Sequence, residues 1–106
     1  MRRGEVWWAR LPAPAGRRPV VLVSRESAYS PVRTRAIVVE VTRTIRDIPS
    51  EVVLSKRDGL PARCVANADN VATIPKAWLD ERIATLSPAR VDELDRALRF
   101  ALGLEA

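Results

Sequence analysis

Short runs of apolar and β-branched residues alternate with connections rich in proline, glycine and arginine, a pattern typical of β-strands joined by loops. Four such runs predict strands at residues 5–11, 19–24, 35–42 and 49–54. The second run, PVVLVS, is almost entirely aliphatic, which is typical of a strand covered on both faces. We therefore expect this strand at the centre of a sheet.

The stretch after these four runs is less regular. Residues 64–74 (CVANADNVATI) predict one or two short strands, because a polar centre at Asn67, Asp69 and Asn70 interrupts the apolar pattern. Residues 75–80, which begin with a proline, predict a single helical turn.

The last segment has the periodicity of an amphipathic helix. Ser87 is a good N-cap, Pro88 occupies the first helical position and Gly103 ends the helix. Between them, apolar residues recur at intervals of three and four, at Val91, Leu94, Leu98 and Ala101. Short strands with one appended helix predict a mainly β (α+β) fold, a small antiparallel β-barrel or curled sheet with a C-terminal helix.

The composition is that of one folded domain over residues 1–106, with 47% hydrophobic and 29% charged residues. Histidine is absent, which excludes chemistry that needs an imidazole, including a histidine-pair ribonuclease. The single cysteine, Cys64, cannot form an internal disulfide or a Cys-x-x-Cys zinc knuckle, so we expect a core residue in a reducing compartment. No apolar run approaches the ~20 residues of a membrane span, and we expect a cytoplasmic protein without membrane contact.

Positive charge is concentrated in the first part of the chain. Residues 1–63 carry a net charge of +7 and residues 64–106 a net charge of −2, and 16 of the 18 basic residues are arginine. Arginine forks onto phosphate and stacks on bases, so this surplus favours a polyanionic partner. The codon bias of a GC-rich genome would also produce many arginines, and the count alone does not separate the two explanations.

Two strand ends carry the side chains best suited to chemistry. Arg17 and Arg18 stand at the start of the second predicted strand, and Thr42 ends the third. If neighbouring strands bring these ends together, a guanidinium and a hydroxyl meet over a site the size of a phosphate. A Gly-rich phosphate loop, a Ser-x-x-Lys pair and carboxylates in metal-ligand spacing are all missing from the sequence.

Several motifs, in order along nearly the whole chain, resemble those of the MazF/PemK toxins of bacterial toxin–antitoxin modules. The opening RGEVW (3–7) resembles the first strand of that family, and GRRPVVLVS (16–24) resembles its second. Val41-Thr42 followed by PSEVVL (49–54) resembles the family pattern of a threonine seven residues before a proline. The matches continue with ADNVATI (68–74), LSP (86–88) and LGL (102–104).

The resemblance implies a small SH3-like or CcdB-like antiparallel β-barrel that acts as a homodimeric endoribonuclease without metal or other cofactor. Such an enzyme cuts single-stranded RNA at short sequences and leaves 2′,3′-cyclic phosphate and 5′-hydroxyl ends. The partner implied is a MazE-like antitoxin with an acidic C-terminal tail, whose complex with the toxin binds DNA. The catalytic residues of the family fall on Arg18 and Thr42, and we expect RNA contacts at Trp8, Arg17, Arg43, Thr44, Arg46, Asp69 and Asn70.

The chain departs from the family pattern near the expected catalytic arginine. The loop at residues 12–17 is short and lacks the carboxylate that many members carry there. Glu40 lies two residues before Thr42 and hence on the same face of an extended strand, which makes it a candidate auxiliary acid. An acid at a strand end is also commonly solvated or paired with an arginine. Asn70 and Ala72 replace a glutamine and a basic residue of the family.

Each expected RNA contact has an alternative explanation. Trp7 is expected in the core, so Trp8 faces the other way and is available to stack on a base, to dimerise or to bind antitoxin. Arg43 and Arg46 are expected to clamp phosphates or to be ordinary solvated loop charges, and Asp69 either binds RNA or accepts hydrogen bonds from its own loop. At the level of function, the alternative is a non-catalytic protein of the same fold, either a CcdB-like gyrase poison or an RNA-binding module.

Overall fold

Within residues 1–104, which the computed structural model describes, six antiparallel strands form one curled sheet with an α-helix on one face. The strands are β1 (Glu5–Arg10), β2 (Arg17–Leu22), β3 (Arg35–Thr42), β4 (Glu51–Leu54), β5 (Cys64–Pro75) and β6 (Leu79–Thr85), and the helix is α1 (Pro88–Ala101). Short 3₁₀ turns lie at Glu26–Tyr29, Lys56–Asp58 and Lys76–Trp78. The last two residues of the domain expected at 1–106 lie outside the described residues.

The strand order is β4-β5-β3-β2-β1-β6, so the half-barrel has β4 and β6 at its edges. The predicted fold class is confirmed, and β2 lies in the interior between β3 and β1 as its aliphatic sequence predicts. Val21 packs into a core beneath α1, whereas Val20 and Leu22 pack into a second core on the opposite face. Burial on both faces explains the unbroken aliphatic run of β2.

The prediction for residues 75–80 is only partly right. A 3₁₀ turn does form at Lys76–Trp78, but β6 begins directly after it and was not predicted. β6 is an edge strand that pairs only with β1, and its consecutive charged residues, Asp80, Glu81 and Arg82, are exposed. An edge strand with little apolar alternation gives no clear strand signal in the sequence.

The irregular polar centre of residues 64–74 is a bulge inside one continuous strand, β5. Pairing with β3 slips after Asn67, so that residues 68–70 have no partner on β3. Ser50, just before β4, secures the bulge: its Oγ donates to Asp69 Oδ2 at 2.6 Å and its carbonyl accepts from the Ala68 amide at 2.8 Å. Polar residues here therefore fix the shape of the strand without breaking it.

The helix α1 forms as its sequence predicts. Ser87 Oγ accepts a hydrogen bond from the Arg90 amide at 3.2 Å, and Pro88 starts the helix. Leu94 is fully buried under the sheet, and Gly103 adopts the positive φ of 70° that follows the helix end. Among the described residues, no helix has the length and apolar character needed to cross a membrane.

A buried carboxylate fixes the orientation of β1. Glu5 accepts hydrogen bonds from the Arg2 amide at 3.1 Å and the Trp7 indole at 3.0 Å, and Arg82 lies 3.4 Å away. Burial acts to raise the pKa of Glu5, but the hydrogen bonds and nearby positive charges outweigh it and hold the pKa below its ordinary value. With Trp7 held against the second core, Trp8 must face the other side of the strand.

We expect Gly59→Ala to destabilise the fold more than a typical glycine substitution. Gly59 has a φ of 91°, and a Cβ there would lie 2.7 Å from the Cβ of Ala84 in β6, a contact that neither backbone can easily relieve. The strained φ and the overlap together should lower the free energy of unfolding by roughly 2–4 kcal/mol in urea titrations. Gly103→Ala is the matched control, since its φ is 70° but nothing lies within 4 Å of the added carbon. Equal losses in the two variants would rule out the Ala84 contact as the cause.

Candidate active site

A pocket opens where β2 and β3 stop pairing. The last paired residues are Val20 and Glu40, although β2 begins three residues earlier and β3 continues for two more. Continuing the register by two residues sets Arg18 across from Thr42, and both side chains line a cavity of about 430 Å³ between the diverging strand ends. The two residues expected to be catalytic are therefore brought together, along with Trp8, Arg17, Arg43 and Thr44.

One amino group of the Arg18 guanidinium has a hydrogen-bond partner among the described residues, and the Nε of the same guanidinium has none. It precedes Pro19, which keeps its backbone extended, and its side chain is 33% exposed. Its Nη1 lies 3.4 Å from Glu40 Oε1, while its Nε is buried and finds no hydrogen-bond partner among residues 1–104. A buried N–H donor without a partner is unfavourable, but this atom has essentially no exposed surface, so an anionic ligand would contact the exposed part of the guanidinium instead.

Glu40 lies on the same face as Arg18 and Thr42. It is directly opposite Val20 in the ladder, and its side chain is 25% exposed. The alternative to an auxiliary acid is an acid that is solvated or paired with an arginine, and the structure shows Glu40 paired with Arg18. Its carboxylate is not among the groups that line the pocket, and its use as an auxiliary acid stays a prediction.

Thr42 lines the pocket at the end of β3. Its Oγ1 accepts a hydrogen bond from the Thr44 amide at 3.3 Å, which tightens the turn after β3. That bond uses an oxygen lone pair and leaves the hydroxyl proton available to donate. The turn also sets Arg43 and Thr44 on the rim of the pocket.

Trp8 and Arg17 form a stacked pair beside Arg18. The Arg17 guanidinium carbon lies 4.4 Å from the centre of the Trp8 ring. Arg17 Nε is also 3.2 Å from Asp80 Oδ2, and its Nη2 is 4.0 Å from Glu81 on the unpredicted strand β6. Trp8 faces away from Trp7 and the second core, as expected, but a base would have to stack on the Arg17–Trp8 pair or displace the guanidinium.

Three expected RNA contacts lie outside this pocket. The amide of Arg46 and that of the next residue both donate to Glu51 Oε1, at 2.9 and 3.0 Å, which closes the loop between β3 and β4. Asp69 accepts the hydroxyl of Ser50, from the segment before β4 and not from its own loop, and Asn70 is exposed beside it. None of these three expected side chains lines the cavity.

One wall of the pocket was missed by sequence reasoning. It consists of Leu60, Pro61, Ala62 and Cys64, from the segment that leads into β5. Burial, aided by the negative charge of Asp58, raises the pKa of the Cys64 thiol, so it stays protonated and unreactive in the core. These residues carry no chemical signal in the sequence, because only the curling of the sheet brings them opposite β2.

The pocket offers donors and positive charge rather than bases. Arg18 and Arg43 supply guanidinium groups and Thr42 supplies a hydroxyl, which together suit a phosphate oxygen that gains negative charge. Within residues 1–104 no three cysteine, aspartate or glutamate side chains are grouped so that they would hold a metal ion.

Comparison with known proteins identifies relatives along the whole length of the chain. Residues 2–102 match the model of the PemK-like, MazF-like toxins of type II toxin–antitoxin systems. The chain is 41% identical over 104 residues to the probable endoribonuclease MazF2 of Mycobacterium tuberculosis, across 97% of this chain and 99% of the relative. It is 43% identical over 101 residues to the probable endoribonuclease MazF5 of the same species, across 94% and 91% of the two chains.

Solved structures agree with these sequence relationships. The fold is similar to a mycobacterial endoribonuclease solved in complex with its cognate antitoxin, with a TM-score of 0.87, 30% identity and coverage of 100% of this chain and 98% of the other. It is also similar to the Mycobacterium tuberculosis toxin MazF-mt6, with a TM-score of 0.86, 29% identity and coverage of 96% and 99%. The resemblance drawn from the motifs is confirmed, and the chain belongs to the PemK-like, MazF-like toxin family of type II toxin–antitoxin systems.

Proposed function

We propose that this toxin is an endoribonuclease and that it cuts single-stranded RNA in the pocket between the ends of β2 and β3, without a metal ion. The observation that carries the assignment of the site is the convergence of Arg18 and Thr42, from the ends of two different strands, on one cavity. The relatives at 41% and 43% identity are named as endoribonucleases, which supports the activity.

The reaction begins when the RNA 2′-hydroxyl attacks the adjacent phosphorus and the bond to O5′ breaks. The products are a 2′,3′-cyclic phosphate and a 5′-hydroxyl. Negative charge grows on the non-bridging oxygens, where Arg18 donates from the outer amino group of its guanidinium while Thr42 donates its hydroxyl. A guanidinium keeps its proton in proteins, so Arg18 is better suited to stabilise this charge than to accept the 2′-hydroxyl proton.

The RNA strand is proposed to cross the rim of the pocket. Arg17, Arg43 and Thr44 lie there and contact the phosphates next to the scissile one, and the Trp8–Arg17 pair supports a neighbouring base. Arg46, Asp69 and Asn70 remain candidates for contacts with nucleotides further along the strand. The net charge of +7 in residues 1–63 supports a long polyanionic ligand.

A non-catalytic role, as a gyrase poison or an RNA-binding module, is not favoured by the relatives, which are named endoribonucleases. The experiment that separates the two is incubation of the purified protein with a long RNA of mixed sequence in EDTA, followed by mapping of the product ends. We expect cleavage at a short recurring sequence with 5′-hydroxyl and 2′,3′-cyclic phosphate ends. Intact RNA under these conditions would contradict the proposal.

The proposed setting is a cytoplasmic homodimer controlled by an antitoxin. Phe100, Leu102 and Leu104, near the end of α1, expose apolar side chains, which supports a dimer because such surface is usually buried against a partner. The mycobacterial structural relative was solved with its cognate antitoxin, which supports a MazE-like partner with an acidic C-terminal tail for this chain.

Replacing Arg18 should abolish cleavage. Arg18→Ala removes both donors to the phosphate, and Arg18→Lys should fail as well because an ammonium group cannot present the planar fork of a guanidinium. The measurement is the initial rate of cleavage of a fluorescent RNA oligonucleotide that contains the mapped site. Arg25→Ala is the control, since Arg25 follows the opposite end of β2 and bonds only Ser27 among the described side chains. Cleavage by either Arg18 variant at near wild-type rate would show that the assignment is wrong.

At position 42, activity should follow the hydroxyl and not the size of the side chain. Thr42→Val keeps the shape and loses the donor, so we expect a fall of roughly 10²-fold in kcat, the usual loss for one donor to a developing oxyanion. Thr42→Ser keeps the hydroxyl and should retain most of the activity. Thermal unfolding of both variants checks the fold, and equal losses in kcat for the two would indicate a packing role instead.

Antitoxin and RNA should compete for the basic surface. We expect the gene next to this one to encode a small protein with an acidic tail, and a peptide of that tail to inhibit cleavage less well as salt rises. Calorimetric titration should show weaker binding of the peptide when Arg17, Arg43 and Arg46 are all changed to alanine. A ternary complex that still cuts RNA, or peptide affinity unaffected by the triple change, would contradict this mode of inhibition.

A further inference from the structure

Within residues 1–104, the acid in contact with Arg18 is Glu40, which pairs with a neighbouring strand on each side, whereas Arg18 pairs with a strand on one side. We propose that Glu40 is a positioning residue that holds one edge of the Arg18 guanidinium, so that the remaining donors face the scissile phosphate. This role rests on the proposed function of the pocket, and no motif of the family resemblance assigns it, because the family usually has a proline or alanine at this position.

Glu40 makes the hydrogen bond that holds the Arg18 side chain within residues 1–104. Oε1 of Glu40 lies 3.4 Å from Nη1, and among residues 1–104 no second acceptor lies within hydrogen-bond distance of the guanidinium. An arginine side chain has four rotatable bonds, so a guanidinium without this contact would sample several orientations over the cavity. The contact at Nη1 leaves the outer amino group, Nη2, free for the phosphate.

Glu40 is fixed on both sides, whereas Arg18 lies beyond the end of the β2–β3 ladder. Glu40 stands opposite Val20 of β2 and Asn67 of β5, and it is the last residue of β3 that pairs with β2. Arg18 keeps ladder contact only through Ala9 of β1. The carboxylate therefore restrains the Arg18 side chain, at the strand end, from a position in the well-paired centre of the sheet.

The charge of Glu40 has a second, opposite effect. A carboxylate beside Arg18 weakens the attraction of the pocket for RNA phosphate, because like charges at short range repel. Removing that charge should strengthen RNA binding and at the same time release the guanidinium from its catalytic orientation. Replacing a residue that served only the stability of the fold would not raise RNA affinity while lowering kcat.

The test uses Glu40→Gln, which has nearly the same shape, and Glu40→Asp, which keeps the charge but shortens the side chain. The dissociation constant is measured with an oligonucleotide carrying a 2′-deoxy sugar at the cleavage site, and kcat with the all-RNA form. For Glu40→Gln we expect kcat to fall ~10- to 100-fold, as misplacement of a catalytic group by about 1 Å would produce. RNA binding should tighten by roughly 2- to 5-fold, in line with the loss of one partly exposed charge. Glu40→Asp should bind RNA as the wild type does and also cut slowly.

Glu93→Gln is the matched control, because Glu93 pairs with Arg90 at 2.7 Å on α1, away from the pocket lining. This variant should leave kcat and RNA affinity within about twofold of wild type, as expected for an exposed ion pair.

Two results would overturn the role of Glu40. One is a kcat for Glu40→Gln within twofold of wild type, and the other is parallel weakening of kcat and RNA binding together with a lower melting temperature. If the wild-type protein itself does not cut RNA, the proposed function falls and this role falls with it, whereas the two results above leave the proposed function intact.

Discussion

The point at which β2 and β3 stop pairing determines the rest of the candidate active site. Val20 and Glu40 are the last paired residues, and beyond them both strands continue without each other. Pro19 has no backbone N–H to donate at this point, and Arg18 before it is kept extended. The separated strand ends create the cavity and place a guanidinium and a hydroxyl on opposite sides of it.

β2 and β3 can diverge at this end because the rest of both strands is packed into two cores. Val21, Val39 and Leu54 pack with α1 in one core, and Val20, Leu22 and Val38 pack in another on the opposite face. With both faces of β2 and β3 buried, divergence at one end does not disturb the register of the remaining pairs. Ser50 and the β5 bulge, together with Glu51 in the following strand, similarly fix the loop that leads from Thr42 to β4.

Within the described part of the chain, two of the arginines around the pocket are paired with acidic residues, although the first part of the sequence has a strongly positive net charge. Arg17 is paired with Asp80 and stacked on Trp8, and Arg18 is paired with Glu40. Each pair is partly exposed and contributes little to stability, but it limits the directions in which a long side chain can point. An anionic ligand therefore meets oriented donors, and it must compete with the acids for them, which favours ligands with several phosphates in a row.

The sequence by itself determined the strands β1 to β4, the presence of strand structure in residues 64–74, the helix α1 and the two strand ends that carry Arg18 and Thr42. Runs of apolar and β-branched residues in the strands and helical spacing in α1 are local patterns, and the motifs around Arg18 and Thr42 lie within single elements. Four features became visible only in the tertiary structure: the strand β6, the apolar wall of the pocket, the stacking of Arg17 on Trp8 and the contact of Glu40 with Arg18. It also separated Arg46, Asp69 and Asn70 from the cavity. These features depend on which residues of different strands become neighbours, and that is set by register and by the curl of the sheet, neither of which is encoded in a local pattern.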